Sequence, residues 1–236
     1  HASNICPATL PLAAIGRLCH AHGALFAVDA AQSAGVLDIN MEEMQIDALA
    51  VPGHKGLYGP MGVGMLLLGK GIRPDTLLEG GNGLDSLSGG MGDDLPERYE
   101  PGTLPLPAIA GLRAGIEFVR RVTPEAIREK ETALGVFLRD ALTEVPGVHV
   151  AVPHLAGGTV LFRADGVSSE DIAARLDAAG SGICVRPGFH CAALAHRTLG
   201  TPEGGAVRAS FGWFNPRRDA EQLIQSLRGG LPGRNG

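Results

Sequence analysis

Lys55 and Asp29 are the residues whose types and spacing point most directly to chemistry. Lys55 lies between His54 and Gly56, just past a short apolar run, where its amine could reach a bound carbonyl compound. Asp29 ends an earlier apolar run, 26 residues before Lys55, where a carboxylate could pair with a protonated ring nitrogen. A Schiff-base lysine and an acid that keeps a pyridinium ring charged are together what a pyridoxal phosphate enzyme requires.

Short apolar runs alternate with helical stretches in the first part of the chain. Strands are predicted at residues 25–29, 47–51 and 62–68. A helix from about Leu10 to His22 precedes the first of them. This alternation favours an α/β fold, a mostly parallel sheet with flanking helices, whose ligands bind at the carboxyl ends of the strands. Asp29 and Lys55 both lie at or just beyond such ends.

The second half of the chain predicts a small α+β domain. A helix begins at Thr123, with Pro124 at its first position, and a final amphipathic helix runs from Pro216 to Leu227. Between these helices, strands are predicted at residues 148–152, 158–162, 183–186 and 207–211. We therefore predict a first domain over residues 1–120, which includes a connecting helix, and a small domain over residues 121–236.

The composition limits the classes of function. Against 20 basic residues there are 25 acidic ones, and the net charge of −5 disfavours nucleic acids and anionic membranes as partners. No apolar run is long enough to span a bilayer. The four cysteines lack the paired spacing of zinc ligands and the density of a disulfide framework. We therefore predict no metal site, and reduced thiols in a cytoplasmic protein.

Cys191 is the cysteine whose context indicates reactivity. A thiol attacks sulfur as the thiolate, and His190, Arg186 and a glycine-containing loop are expected to favour that form and to leave the sulfur exposed. The alternative, a buried structural cysteine, suits Cys19 and Cys184 better, because each lies on a predicted helix or strand.

Residues 69–104 are rich in glycine, serine, aspartate and proline and show no clear periodicity. One interpretation is a flexible surface linker, and the other is an ordered segment at an active site and a subunit contact. The run Arg98–Thr103 favours the ordered segment, because it is one of the motifs that follow.

Six motifs occur in order along the chain. They are Ser3-Asn4, Val28-Asp-Ala-Ala-Gln32, Gly53-His-Lys-Gly56 with Tyr58-Gly-Pro60, Arg98-Tyr-Glu-Pro-Gly-Thr103, Val185-Arg-Pro-Gly-Phe-His-Cys-Ala192 and Val207-Arg-Ala-Ser210. On these motifs the sequence resembles class V aminotransferase-type, fold-type I pyridoxal phosphate enzymes, and among them the cysteine desulfurases of the SufS-like group. The resemblance covers nearly the whole chain. It implies the C-terminal part of a large cofactor-binding domain, followed by the small α+β domain.

The resemblance assigns roles to the motif residues. It implies that Lys55 holds pyridoxal phosphate and moves the substrate's α-proton, while Asp29 pairs with the pyridine nitrogen. Contacts to the phenolic oxygen are implied for Gln32 and Asn4, and contacts to the phosphate for His54 and Thr103. Thr103 would reach the phosphate of the neighbouring subunit in a homodimer. The substrate carboxylate is implied to bind Arg208, with help from Arg186 and Asn4.

The implied reaction converts L-cysteine to L-alanine. Cys191 attacks the substrate's sulfur, becomes a persulfide and passes the sulfur to an acceptor protein, as in iron–sulfur cluster assembly. Three alternatives stay open: a selenocysteine lyase with the same residues, another class V enzyme in which Cys191 is incidental, and a non-catalytic fragment. Family members carry a further segment before the Ser3-Asn4 motif, so we expect an N-terminally incomplete chain. That segment holds the family's ring-stacking histidine, and His196 is assigned no role.

Overall fold

The computed structural model describes residues 1–83, 90–178, 182–201 and 204–229. Contacts between residues divide the chain into two units. The first, which we call the Lys55 unit, is Pro11–Arg121; the second, the Cys191 unit, joins His1–Leu10 to the chain from Val122 onward. Within the described ranges, no helix combines the length and the apolar character needed to cross a membrane.

The Lys55 unit is built around a three-stranded sheet. Its elements are α1 (Leu12–Ala21), β1 (Ala27–Asp29), β2 (Ala48–Pro52), β3 (Gly64–Leu68), a 3₁₀ helix (Glu97–Tyr99) and α2 (Leu106–Val122). β2 is the central strand, with β1 parallel to it on one side and β3 antiparallel on the other. The core combines apolar side chains of the strands and both helices, among them Leu12, Val28, Leu49, Val51 and Leu112. The predicted α/β class is confirmed, with one parallel and one antiparallel pairing in the described sheet.

Asp47 fixes the start of β2 against its neighbours. Its Oδ2 accepts a hydrogen bond of 2.6 Å from the Phe26 backbone N–H and lies 3.0 Å from His20 Nε2 on α1. The Phe26 bond, and after it the His20 bond, lower the pKa of Asp47 below its ordinary value of 3.8. The charged carboxylate therefore ties α1 and the approach to β1 to the start of β2.

The segment from residue 69 to 104 is hydrogen-bonded in its described part, and residues 84–89 lie outside the described residues. Arg98 Nη1 donates to the Gly92 carbonyl at 2.8 Å and to Asp93 Oδ1 at 3.0 Å. The Tyr99 hydroxyl donates to the Pro74 carbonyl at 2.8 Å. Thr103 is exposed at the end of this segment. Its contact with a neighbouring subunit stays a prediction.

The Cys191 unit is built on an antiparallel sheet in the order β4-β5-β6. Its elements are α3 (Pro124–Thr143), β4 (Val148–Val150), β5 (Thr159–Ala164), α4 (Ser169–Ala178), α5 (Ala193–Thr198), β6 (Val207–Ser210) and α6 (Arg217–Arg228). α3 begins where predicted, because the Thr123 hydroxyl accepts a hydrogen bond from the Ala126 N–H and Pro124 follows the cap. Helices α3, α4 and α6 share one core with the sheet side chains Phe162 and Val207.

Residues 1–10 belong to the Cys191 unit, whereas the sequence prediction placed them in a domain over residues 1–120. Ile5 and Cys6 are buried against Leu161 of β5, in a second cluster with Val152 and Ala206. These partners lie far along the chain, so a pattern read over neighbouring residues does not reveal the contact.

Candidate active site

Asp29 and Lys55 lie at one edge of the sheet in the Lys55 unit. Asp29 is the last residue of β1 and is in register with Ala50 of β2. Lys55 follows Pro52, the last residue of β2, by three positions. Because β1 and β2 are parallel, their carboxyl ends meet at the same edge, and both side chains are exposed there.

Two glycines let the loops that follow β1 and β2 pack backbone against backbone. A Cβ on Gly56 would lie 2.4 Å from the Ala34 carbonyl oxygen, and a Cβ on Gly35 would lie 2.2 Å from the Gly56 oxygen. Gly35 also has a φ of +84°, which glycine adopts without strain. The spacing between the Asp29 loop and the Lys55 loop therefore depends on the absence of two side chains.

Helix α2 packs against the Lys55 loop. A Cβ on Gly115 of α2 would lie 2.2 Å from the Leu57 oxygen, so the helix also approaches the loop backbone closely. The rings of Tyr58 and Phe118 meet edge to face, with centroids 5.2 Å apart. Within the loop, the Tyr58 N–H donates to the Lys55 carbonyl at 2.9 Å. Lys55 thus projects from a backbone that is fixed by packing and by its own turn.

The side chains at this sheet edge suit pyridoxal phosphate. Asp29 Oδ1 accepts a hydrogen bond of 2.7 Å from the Ala31 N–H, which orients the carboxylate at the strand end. Lys55, Gln32 and His54 are exposed on the same two loops. An amine, a carboxylate, an amide and an imidazole match the aldehyde, ring nitrogen, phenolic oxygen and phosphate of this cofactor. The residues present therefore fit the group that the sequence predicts.

A second group of predicted residues meets in the Cys191 unit. Arg186 and Arg208 form a backbone bridge, with hydrogen bonds of 3.0 and 2.8 Å in the two directions. Arg208 Nη1 donates to the Asn4 carbonyl at 2.9 Å, and Asn4 Nδ2 donates to the His190 carbonyl at 2.6 Å. The structure thus brings Asn4, Arg186 and Arg208 together with the residue that precedes Cys191.

Arg208 offers a binding position for an anion. It is half-buried, and its Nε is buried with no hydrogen-bond partner among the described residues. Burial, and then repulsion from Arg186, lower the pKa of Arg208, whereas attraction to Cys191 raises it. A buried guanidinium donor without a partner is costly. A carboxylate that accepted this hydrogen bond would remove the cost and add a charge-assisted contact.

Cys191 is exposed on a strained stretch of backbone. The φ angle is +58° at Cys191 and +55° at His190, and both values are unfavourable for residues that carry a Cβ. The Ala192 N–H donates to the Phe189 carbonyl at 2.8 Å and closes the turn that contains them. Cys191 is exposed, as predicted, and its reactivity stays a prediction.

His190 does not supply positive charge to Cys191, contrary to the sequence expectation. Its ring is buried, with Nε2 at 2.7 Å from the Arg186 carbonyl oxygen and Nδ1 at 3.1 Å from His196 Nε2. Burial is the main cause that lowers the pKa of His190 from 6.5, and the nearby Arg208 lowers it further. The ring is therefore neutral near pH 7 and carries no positive charge towards Cys191.

His196 and Thr201 are candidates that sequence reasoning missed. His196 is buried on α5, and its Nδ1 lies 2.7 Å from Thr201 Oγ1. The sequence predicts a loop between strands around Cys191, whereas the structure has the six-residue helix α5 there. The available signal was a second histidine six positions after His190, and that spacing alone does not predict a contact between the rings.

Cys184 is exposed, which corrects the prediction of a buried structural cysteine. The predicted strand over residues 183–186 is reduced to the single bridge between Arg186 and Arg208. Because no strand forms around it, Cys184 does not enter the sheet and stays at the surface. Cys19, on α1, is partly buried.

Known families and relatives show what the sequence is similar to. The family model for Aminotransferase class-V matches residues 1–223. A probable cysteine desulfurase from Methanothermobacter thermautotrophicus is 34% identical over 233 residues, and one from Chlamydia trachomatis is 34% identical over 241 residues. The alignments cover 96% and 97% of this chain, and 58% and 57% of the two relatives. The chain thus spans a little over half the length of these relatives.

Solved structures share the fold. The apo structure of a cysteine desulfurase from Thermococcus onnurineus NA1 matches with a TM-score of 0.84 and 32% identity, over 99% of this chain and 59% of that chain. The cysteine desulfurase CsdA (S-sulfonic acid) from Escherichia coli matches with a TM-score of 0.86 and 28% identity, over 96% of this chain and 56% of that chain. These likenesses confirm the α/β fold that the sequence predicts.

Proposed function

The chain belongs to the class V aminotransferase family, and on that premise we propose that the protein is a pyridoxal phosphate-dependent cysteine desulfurase that converts L-cysteine to L-alanine. One observation carries the proposal: the exposed Cys191 directly follows His190, which is linked through Asn4 to Arg208, and the buried Nε of Arg208 has no partner among the described residues. Amino-group transfer requires an arginine for the substrate carboxylate, but it has no need of a thiol. The relatives named as probable cysteine desulfurases support the same reading.

The sheet edge of the Lys55 unit is the proposed binding site for the cofactor. Pyridoxal phosphate, when bound, supplies an electron sink that lets the α-proton of an amino acid leave. Lys55 holds the cofactor and then moves that proton, and Asp29 keeps the ring nitrogen protonated by pairing with it. Gln32 binds the phenolic oxygen and His54 the phosphate. The closely packed glycine loops support this proposal, because they hold the amine and the carboxylate on adjoining backbone segments.

The Cys191 unit provides the proposed groups for substrate and sulfur. Arg208 binds the carboxylate of L-cysteine, with Arg186 and Asn4 beside it. Cys191 acts as the thiolate and attacks the substrate's Sγ, so that an S–S bond forms while the Cβ–Sγ bond breaks. The carbon that loses sulfur gains a proton, alanine is the product, and Cys191 is left as the persulfide.

Further parts of the proposal concern partners and location. Thr103 contacts the phosphate in the neighbouring subunit of a homodimer, and the exposed Cys191 persulfide passes its sulfur to an acceptor protein for iron–sulfur cluster assembly. The protein acts in the cytoplasm. These parts rest on the resemblance to the SufS-like group. Analytical ultracentrifugation with and without pyridoxal phosphate tests the dimer, since a monomer under both conditions would remove the role of Thr103.

The test of the activity measures alanine released from L-cysteine by the protein loaded with pyridoxal phosphate. The parent is compared with Cys191→Ser and with Cys184→Ser, a matched control at another exposed cysteine. We expect alanine and a Cys191 persulfide from the parent and from Cys184→Ser, and neither from Cys191→Ser. Lys55→Ala is expected to lose the cofactor's absorbance band as well as the activity.

Other outcomes separate the alternatives. Equal alanine from the parent and Cys191→Ser would show that Cys191 is not the sulfur acceptor and would favour another class V reaction. Turnover of L-selenocysteine together with no turnover of L-cysteine would favour the selenocysteine lyase. A parent that binds pyridoxal phosphate and releases no alanine would overturn the desulfurase proposal for this chain.

A further inference from the structure

Three side chains form a hydrogen-bonded chain in the Cys191 unit. Thr201 Oγ1 lies 2.7 Å from His196 Nδ1, and His196 Nε2 lies 3.1 Å from His190 Nδ1. His190 Nε2 lies 2.7 Å from the Arg186 carbonyl oxygen. Both histidines are buried, with 1% of His196 and 5% of His190 exposed. The two buried rings thus connect Thr201 to the backbone of Arg186.

When both histidine rings are neutral, the protons of these three hydrogen bonds can take only one arrangement. The Arg186 carbonyl can only accept, so His190 Nε2 carries a proton and His190 Nδ1 must accept from His196 Nε2. His196 Nδ1 is then an acceptor, and the Thr201 hydroxyl donates to it. The Thr201 hydroxyl also donates to the His196 carbonyl oxygen at 3.0 Å, so its single hydrogen is shared between that oxygen and the ring nitrogen. All three hydrogen bonds therefore run from Thr201 towards Arg186, an arrangement in which each bond strengthens the next.

These three hydrogen bonds end at the backbone segment that carries Cys191. His190 and Cys191 both have left-handed φ angles, which residues with a Cβ adopt only where their surroundings hold them. The His190 ring is fixed by Arg186 and His196, and its carbonyl accepts the hydrogen bond from Asn4. Arg186 is in turn bridged to Arg208. His190 is thus the residue at which the strained turn and the carboxylate-binding arginine are connected.

We propose that His196 is a positioning residue for Cys191: by donating from Nε2 to His190 it fixes the left-handed turn that directs the thiol at the substrate's sulfur. The inference rests on the proposed function and adds to it a residue outside the motifs. His190 then holds the turn and does not act as a base for Cys191, because both of its ring nitrogens are already hydrogen-bonded. Protonation of His190 would place a third positive charge beside Arg186 and Arg208, in agreement with its lowered pKa.

Two substitutions of His196 distinguish the effect of its Nε2 donor from the effect of its ring. Glutamine places an amide nitrogen as many bonds from Cβ as His196 Nε2, so His196→Gln keeps the donor to His190. Asparagine reaches only as far as Nδ1, so His196→Asn keeps the Thr201 contact and loses the donor. We expect persulfide formation on Cys191 to fall roughly 10- to 100-fold in His196→Asn and to stay within about threefold of the parent in His196→Gln.

A second pair covers the case in which His196→Asn does not fold, as judged by its circular dichroism. Thr201→Val removes the hydroxyl that sets the tautomer of His196, and Thr201→Ser keeps it. We expect the rate of persulfide formation in Thr201→Ser to be just below that of the parent. The rate in Thr201→Val is expected to be about tenfold lower than in Thr201→Ser. Equal rates for the glutamine and asparagine variants, or for the valine and serine variants, would overturn the proposal, because packing alone would then explain the site.

A measurement without cofactor or substrate tests the hydrogen bonds between Thr201, His196 and His190 independently of the desulfurase activity. Nitrogen-15 spectra of labelled histidine report the tautomer, and His196→Gln identifies the His196 signals by their loss. We expect His190 and His196 both to be neutral and protonated at Nε2 near pH 7. Protonation of His196 at Nδ1 would reverse the chain and overturn the proposal. If the tautomers are as expected and the parent forms no persulfide, the proposed function fails, whereas the positioning of the turn is supported.

Discussion

Lys55 and Cys191 are held by different kinds of contact. In the Lys55 unit, the loops that carry Asp29 and Lys55 meet backbone to backbone through Gly35 and Gly56, while the chemical side chains stay exposed. In the Cys191 unit, buried side chains hold the turn, and the backbone of His190 and Cys191 is strained. The packing of the Lys55 loop depends on the absence of a Cβ at the two glycines. The turn at Cys191 depends on the pairing of particular hydrogen-bond donors and acceptors.

The difference suits the two proposed tasks. An amine that must change partners during a reaction needs a firm loop and a free side chain, and backbone packing provides both. A thiol that must meet one atom of a substrate needs a set direction, and hydrogen bonds are directional where apolar packing is not. The two units should therefore respond differently to substitution: the Lys55 unit to added volume, and the Cys191 unit to altered donors and acceptors.

The largest effect is expected from Gly56→Ala. The added Cβ would lie 2.4 Å from the Ala34 oxygen, so the two loops must move apart. We expect the free energy of unfolding, measured in urea, to fall by about 3 kcal/mol, at the upper end for overpacking. Because Lys55 and Asp29 move apart with the loops, titration with pyridoxal phosphate should no longer produce its bound absorbance band.

Gly81→Ala is the matched control in the same unit. No atom lies within 4 Å of a Cβ added there, so the substitution should stabilise slightly, by about 0.5 kcal/mol, through the unfolded chain. Equal losses of stability at positions 56 and 81 would show that glycine flexibility, and not close packing, holds the Lys55 loop.

Arg208→Lys tests the Cys191 unit with a change that keeps charge but alters donor geometry. Lysine has no Nε donor and no planar fork, so we expect kcat/KM for L-cysteine to fall roughly 100-fold. Arg163→Lys is the control, because Arg163 lies on the neighbouring strand and pairs with Asp165 at the surface. Similar kinetics for the two variants would remove Arg208 from the substrate site.

The sequence predicted those parts of the site that depend on neighbouring residues. Short apolar runs predict Asp29 at the end of β1 and Lys55 just beyond β2, and the Thr123–Pro124 pair predicts the start of α3. In each case the signal and the structure lie within a few residues of one another. The motif residues Asn4, Arg186 and Arg208 also meet in one unit, although their roles stay predictions.

The parts that were missed depend on contacts between distant or weakly patterned segments. The strand predicted at residues 183–186 is a single bridge, because apolar character alone does not supply a partner strand. The ring contact between His190 and His196 requires a short helix that carries no side-chain cap. The neutral state of His190 follows from burial, which a sequence motif does not show. A motif therefore names the reactive residue more readily than the residues that orient it.

Glu131→Gln tests a half-buried group in the Cys191 unit. Burial raises the pKa of Glu131 on α3 from 4.5 to about 7, so the folded protein retains a proton that the unfolded chain releases. Stability is therefore lost as the pH rises from 4.5 to 7. We expect glutamine to raise the free energy of unfolding by about 1–2 kcal/mol at pH 8 and to change it little at pH 4.5. The exposed Glu129→Gln should have little effect at either pH.

The smallest expected effect is the acid response of the histidine pair. Burial lowers the pKa values of His190 and His196 below 6.5, so the unfolded chain binds protons more tightly and stability is lost as the pH falls below about 6.5. This slope is opposite in sign to that of Glu131. The loss of stability due to the histidines should therefore be measured in the Glu131→Gln variant, because the opposite pH dependence of Glu131 is absent there. Trp213, the single tryptophan of the chain, reports by fluorescence on unfolding of the Cys191 unit.

In Glu131→Gln we expect the urea midpoint from Trp213 fluorescence to fall between pH 7 and pH 5, and to fall less when His196→Gln removes one titrating ring. The Lys55 unit should respond at lower pH, because its Asp47 has a pKa lowered below 3.8 and loses its stabilising charge only as the pH falls through that value. A midpoint unchanged down to pH 5 in Glu131→Gln would show that the two histidines titrate alike in the folded and unfolded chain. The buried hydrogen-bonded pair would then differ little from exposed side chains in its response to acid, and the contrast between the two units would rest on geometry alone.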